Sequence, residues 1–277
     1  TLYHHTNGHP LFTVELVRAM QRRGDMVKAG SGRWVESAAL DWDRLPPRVE
    51  AVIAESVCRL PELLQTALTI ASVEGEVFTA QAVAHVQAVE PQQIIHSLSG
   101  VLSKQHRLVS AAGVERLNGR PLALYRFRHF LFQKYLYSRL DDIERAHLHE
   151  AMGYALETLY GDQLVGKAAQ LARHFELAGL TSRAVLYLQQ AGDRAVQLFA
   201  NLEAIDHYRH ALRLMQTLPN TQERASRELR LRNALGVPLL AVRGFGDVEL
   251  EQNYAQAREL TLCVEDSPEL FWVLCGL

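Results

Sequence analysis

The sequence predicts a mainly α-helical chain, with a small module of short helices closed by a β-hairpin and then an array of packed helix pairs. Three observations predict it. Strand-type patterning is confined to two short segments flanking Asn118-Gly119. Apolar residues recur at helical spacing through most of the remainder. From Ala184 onward small residues recur at the same spacing, which lets the backbones of neighbouring helices approach closely.

Leu11 to Arg23 is an amphipathic helix by pattern, with Phe12, Leu16, Val17 and Met20 on one face and Glu15, Arg18 and Arg22 opposite. Pro10 suits its first turn, and Gly24 ends it. Ala29 to Arg44 is rich in Gly, Ser and Asp and reads as a linker. Pro46-Pro47 opens a helix carrying Val49, Val52, Ile53, Val57 and Leu60, and Pro61 starts another running from Glu62 to Val73. Thr79 is the expected N-cap of a short helix ending at Val86, and Pro91 begins one with Ile94, Ile95, Leu98, Val101 and Leu102.

Arg107 to Val114 and Leu122 to Arg128 are the strand segments, joined by Asn118-Gly119, both of which tolerate positive φ. Short helices followed by a hairpin are the layout of a winged helix. Beyond His129 seven helices are predicted: Phe130–Arg139, Asp142–Tyr160, Leu164–Ala178, Ser182–Phe199, Leu202–Leu218, Glu223–Leu240 and Val248–Cys263. Gly192, Ala204, Tyr208, Ala211 and Leu214, with Pro219 beyond, follow the spacing of a tetratricopeptide repeat. Gly236, Tyr254, Ala257 and Leu260 echo it after a longer loop, and Ala172, Ala184, Leu188 and Ala191 form a degenerate copy. A helical solenoid is therefore expected, with an irregular bundle as the alternative.

A chain of 277 residues accommodates two domains or one short array. The formal net charge of −2 exerts no general pull on nucleic acid or anionic membrane. No apolar run reaches the ~18 residues of a membrane span. Cys58, Cys263 and Cys275 are too few and too far apart for a disulfide framework or a zinc knuckle, so reduced thiols in a cytoplasmic protein are expected. The start at Thr1 has no leader pattern and no initiator Met, and the end is apolar, so the sequence reads as a fragment of a longer one.

No catalytic constellation emerges. Gly161 to Ala168 has the GxxxxGK spacing of a phosphate-binding loop, but it follows a helix, and Ala168 cannot ligate Mg²⁺. Of the 12 histidines, His147 and His149 lie two apart on a helix and face about 200° away from each other, whereas a zinc pair wants three or four. Asp141-Asp142 suits a helix start. Arg107, Arg116, Arg120, Arg126, Arg128, His129 and Lys134 gather at the hairpin, as a DNA reader would want. The matching recognition helix, Gln92 to Lys104, carries one Lys, which argues against nucleic acid as a partner. A DNA-binding winged-helix regulator is the alternative to weigh, and an enzyme built on the His-rich helices is a more distant one.

Asn7-Gly8-His9-Pro10-Leu11-Phe12 with Glu15-Leu16-Val17 resembles the Gly-x-Pro segment that closes the nucleotide-binding domain of STAND-class signalling ATPases. Leu45-Pro46, Arg59-Leu60-Pro61 and the run from Ala71 to Phe78 are similar to the start of that group's winged helix. Tyr125 to His129 and Tyr135-Leu136-Tyr137 resemble its close, and His174-Phe175 and Ala191-Gly192-Asp193 the repeats that follow. The resemblance implies residues 1–44 as the last helical segment of an ATPase with its linker, 45–140 as a winged helix, and 141–277 as tetratricopeptide-like repeats. It implies a non-catalytic regulatory piece of a larger protein, possessing ATP or ADP only in the full-length context and no cofactor of its own. Its partners would be the ATPase domain upstream in cis and a protein or small inducer on the repeats, with nucleotide-dependent self-assembly. Gly8 and Pro10 would lie near the nucleotide's base, and His129 where related proteins contact the ADP β-phosphate. Phe130 departs from the acidic residue that follows this histidine in those proteins, so a packing role for His129 stays open.

Overall fold

The computed structural model describes residues 47–117 and 119–261, together with 13–14, 17–18, 20–21, 26–28 and 34–36. The protein is mainly helical, with a small three-stranded antiparallel sheet. It forms two compact units, Thr1–Ala155 and Leu156–Leu277.

In the first unit the described residues between 13 and 21 are helical, and Met20 on the predicted apolar face is buried. The stretch read as a linker holds half of a strand pair, β1 (Met26–Lys28) with β2 (Trp34–Glu36). Three-residue strands are too short to show alternation, so composition alone reads as loop. Helices α1 (Pro47–Cys58) and α2 (Glu62–Glu74) meet at Pro61, as expected from the proline's lack of a helical donor. Val49, Ile53 and Val57 of α1 are buried, while Val52 is 38% exposed and off the apolar face.

A third unforeseen strand, β3 (Val77–Thr79), leads into α3 (Ala80–Gln87). Thr79 precedes α3, but its hydroxyl makes no capping bond; it donates instead to Oε1 of the buried Glu74 at 2.8 Å, while its N–H donates to Oε2. A charged acceptor makes the stronger bond. Helix α4 (Pro91–Ser97) continues as a π-helical turn over Leu98–Gln105, so the expected single helix changes geometry midway. Arg107, in the left-handed region at φ 53°, redirects the chain.

Strands β4 (Val109–Leu117) and β5 (Arg120–Phe127) pair from Leu117 against Arg120, with Gly119 in a turn just before β5. Gly113, at φ 139°, follows the bulge that adds Ala112 to β4. The sheet order is β3-β5-β4. Beyond the short β3, Gln81 takes over its edge, donating to the Pro121 carbonyl and accepting from the Ala123 N–H. Phe78, Tyr125 and Phe127 cluster on one face of the sheet, with Phe78 and Phe127 centroids 5.2 Å apart. Helix α5 (Phe130–Ser138) is tied to α2 by Gln133 donating to the Ser72 carbonyl.

Helix α6 (Asp142–Tyr160) is followed in the second unit by a 3₁₀ turn, Gly161–Lys167, where a continuous helix from Leu164 was expected. Then come α7 (Ala168–Leu177), α8 (Thr181–Gln197), α9 (Asn201–Met215), α10 (Gln222–Arg243) and α11 (Val248–Thr261). Links of three to six residues join α7 through α11, and each of these helices packs on the one before it in that series. Ala184, Ala191, Ala195, Ala204, Ala211 and Ala257 are all buried, whereas Ala255 faces solvent. Two matching contacts recur: Tyr208 on Gly192, and Tyr254 on Gly236.

The α7–α8 and α8–α9 links share one device. Leu180 N–H donates to the Phe175 carbonyl and Gly179 N–H to Glu176; Ala200 N–H donates to Ala195 and Phe199 N–H to Val196. Each is a Schellman motif, whose penultimate residue must be left-handed. Gly179 fills that position at φ 76°, and Phe199 fills it at φ 59°.

Candidate functional site

Gly8 and Pro10 lie outside the described residues. His129 stands immediately before α5 in an extended conformation, at the close of β5. Hairpin and helix together fix this junction: Phe127 is buried in the sheet core, and Leu131 and Phe132 anchor the first turn of α5. The half-buried His129 ring lies 6.1 Å from that of Phe132, a packing contact, and Phe132 N–H donates to the His129 carbonyl. Lys134 sits 5.2 Å from the Phe130 ring centroid. A helix start offers N–H groups without helical acceptors, so an imidazole beside it can join them in holding an anion.

Arg107, Arg116, Arg120, Arg126 and Arg128 are all exposed around the hairpin. The preceding helix and π turn offer only Lys104 as a permanent cation. The positive surface therefore belongs to the hairpin.

Among the described residues no three His, Cys, Asp or Glu side chains come together as a metal site. His147 is exposed, whereas His149 is buried with its Nε2 2.9 Å from the Tyr137 hydroxyl. Segment 161–167 follows a helix, and the Lys167 ammonium lies 5.0 Å from the Tyr160 ring centroid. No described helix is long and apolar enough to cross a membrane.

The second unit presents two further features. A cavity of about 350 Å³ has an apolar floor of Val185, Met215, Leu218 and Pro219, rimmed by Arg224 and Arg227. Near the α7–α8 link, Glu157 accepts from Arg183 and from the Tyr187 hydroxyl, and the Tyr187 ring stacks on Phe175 at 5.5 Å. Burial, then the bond to Glu157, pushes the Tyr187 pKa far above its ordinary 10.0. The Arg209–Glu249 pair likewise joins residues 40 apart. Sequence reasoning missed these, because such pairs have no spacing rule.

The fold thus defines a mainly helical protein with small antiparallel sheets. The chain is similar to an uncharacterized protein of Rhizobium meliloti (strain 1021), 25% identical over 217 residues. The match covers 76% of this chain and 21% of that relative, so the chain spans about a fifth of its length. No family model matches the chain, and no solved structure matches it.

Proposed function

We propose that this chain is the regulatory and protein-interaction part of a nucleotide-switched signalling ATPase. In this reading residues 1–44 close an ATPase domain that lies upstream in cis, and residues 45–140 are a winged helix that reports its nucleotide state. The helix pairs of the second unit are tetratricopeptide-like repeats that bind an inducer or partner protein. The chain itself catalyses nothing; ATP and ADP belong to the longer protein, which assembles when its nucleotide changes.

One observation carries the reading. The Gly192–Tyr208 contact is repeated by Gly236–Tyr254 in the next helix pair, so a single packing unit is used twice. Repeats built this way present side chains on rigid helices over an extended surface, which suits binding rather than chemistry. His129 at the start of α5 supports the nucleotide half, because the resemblance puts a phosphate-contacting histidine there and a helix start favours an anion. Gly8 and Pro10 would complete that site near the base.

The test is calorimetry with ADP and ATP on this chain and on a longer protein that includes the upstream domain. The longer protein should bind, this chain alone should not, and His129→Ala should weaken ADP binding. Absence of binding by the longer protein would remove the nucleotide switch and leave a plain interaction scaffold.

The exposed hairpin arginines favour a second reading, a DNA-binding winged-helix regulator. It predicts DNA affinity that falls steeply with salt, in proportion to the phosphates contacted.

A further inference from the structure

A second, polar cavity of about 250 Å³ lies between α9, α10 and α11. Two of its three arginines are already engaged. Arg209 donates to both oxygens of Glu249, at 2.8 and 2.6 Å, and Arg232 donates from Nε to Glu228 at 3.0 Å. Arg213, exposed on the same side of α9, has no partner for its guanidinium among the described residues. The cavity therefore holds one uncommitted positive charge.

Asn253 lines the same cavity and is only 4% exposed. Its Nδ2 donates to the Arg232 carbonyl at 2.8 Å, which fixes the orientation of the amide. Its Oδ1 is buried with no hydrogen-bond partner among the described residues. A buried acceptor left unpaired is destabilising, so a bound N–H donor would relieve it.

Gln252 and Gln256 line the cavity one turn apart on α11. Four residues of helix rise about 6 Å, close to the two-residue repeat of about 6.6 Å in an extended chain. Carboxamides at that interval offer a donor and an acceptor to successive peptide groups of the same orientation. A small acid would use the arginine and leave this row idle.

We infer that the α9–α11 cavity binds an extended peptide segment bearing an acidic side chain, its carboxylate on Arg213 and a backbone N–H on Asn253 Oδ1. The inference rests on reading the second unit as partner-binding repeats, and it names the chemistry of the partner.

The test is selection of a random heptapeptide phage library on the immobilised chain, then binding of the synthetic winners by fluorescence anisotropy. Enriched sequences should share an Asp or Glu. Arg213→Glu and Gln256→Glu, both at exposed positions, should each weaken binding about tenfold or more, with unchanged circular dichroism. Winners without acidic residues, or undiminished binding to Arg213→Glu, would overturn the proposal. So would displacement of the peptide by free succinate at equal concentration, which would make the ligand a small diacid. Nucleotide binding by the longer protein is a separate measurement: its failure would leave a positive peptide result standing, and failure here would leave the nucleotide switch untouched.

Discussion

The Tyr208 ring lies so close over Gly192 that a β-carbon on the glycine would stand 2.6 Å from the ring's Cε1. Gly192→Ala must therefore push apart α8 and α9, the most extensive helix pairing in the second unit. Overpacking of this kind costs about 1–3 kcal/mol. Gly236→Ala should behave likewise, because its β-carbon would stand 2.6 Å from Tyr254 Cζ. Urea midpoints of the two variants check this, and unchanged midpoints would mean that the contact relaxes freely.

Phe199 is 88% exposed and occupies a left-handed position that Gly179 fills one link earlier. A left-handed residue with a β-carbon is strained by about 1–2 kcal/mol, while glycine costs about 0.5–1 kcal/mol in added freedom of the unfolded chain. Phe199→Gly should raise stability by about 0.5–1 kcal/mol, since almost no packing is lost. Gly179→Ala should lower it by a similar amount. Paired thermal melts would show the opposite signs, and a destabilised Phe199→Gly would count against the strain argument.

The Tyr208 hydroxyl donates to Asp193 Oδ1 at 2.7 Å, and burial followed by that bond holds its pKa far above the ordinary 10.0. Tyr187 is raised too, by burial and then Glu157, and Tyr254 by burial. The folded state thus keeps protons that the unfolded chain releases near pH 10. Their contribution is fully present below that pH and is lost as pH rises above it, at up to about 1.4 kcal/mol per pH unit for each tyrosine. Tyr208→Phe should flatten the fall of Tm between pH 9.5 and about 11. An unaltered slope would mean that Tyr208 ionises without penalty.

Glu74 is buried and accepts both the N–H and the hydroxyl of Thr79. Thr79→Val keeps the shape and removes one donor from a buried carboxylate, which should cost about 1.5–3 kcal/mol. Thr79→Ser keeps the hydroxyl and should recover most of the loss. Equal urea midpoints for the valine and serine variants would show that the hydroxyl contributes nothing.

Much of the helical layout was legible in the sequence because its signals are local. Pro47 and Pro61 start helices through their missing donors, Asn118-Gly119 marks a turn, and buried alanines keep helical spacing. The Gly192–Tyr208 and Gly236–Tyr254 correspondence was legible as a repeated order of residues, with a longer loop in the second copy. Strands of three residues were not, since alternation needs length; β1, β2 and β3 exist through pairing alone. Thr79 stands at the N-cap as expected, but a buried carboxylate from the preceding helix takes its hydroxyl in place of a capping bond. His129 before a helix was foreseen by position.

By itself, then, the sequence determined which segments are helical, where the hairpin turns and which glycines recur under tyrosines, since each depends on residues a few positions apart. Only the tertiary structure decided that Arg209 is tied to Glu249, that Arg213 is left without a partner in the same cavity, and that Asn253 turns an unpaired oxygen inward. Those are outcomes of packing between helices up to 40 residues apart along the chain, and no local interaction energy encodes them.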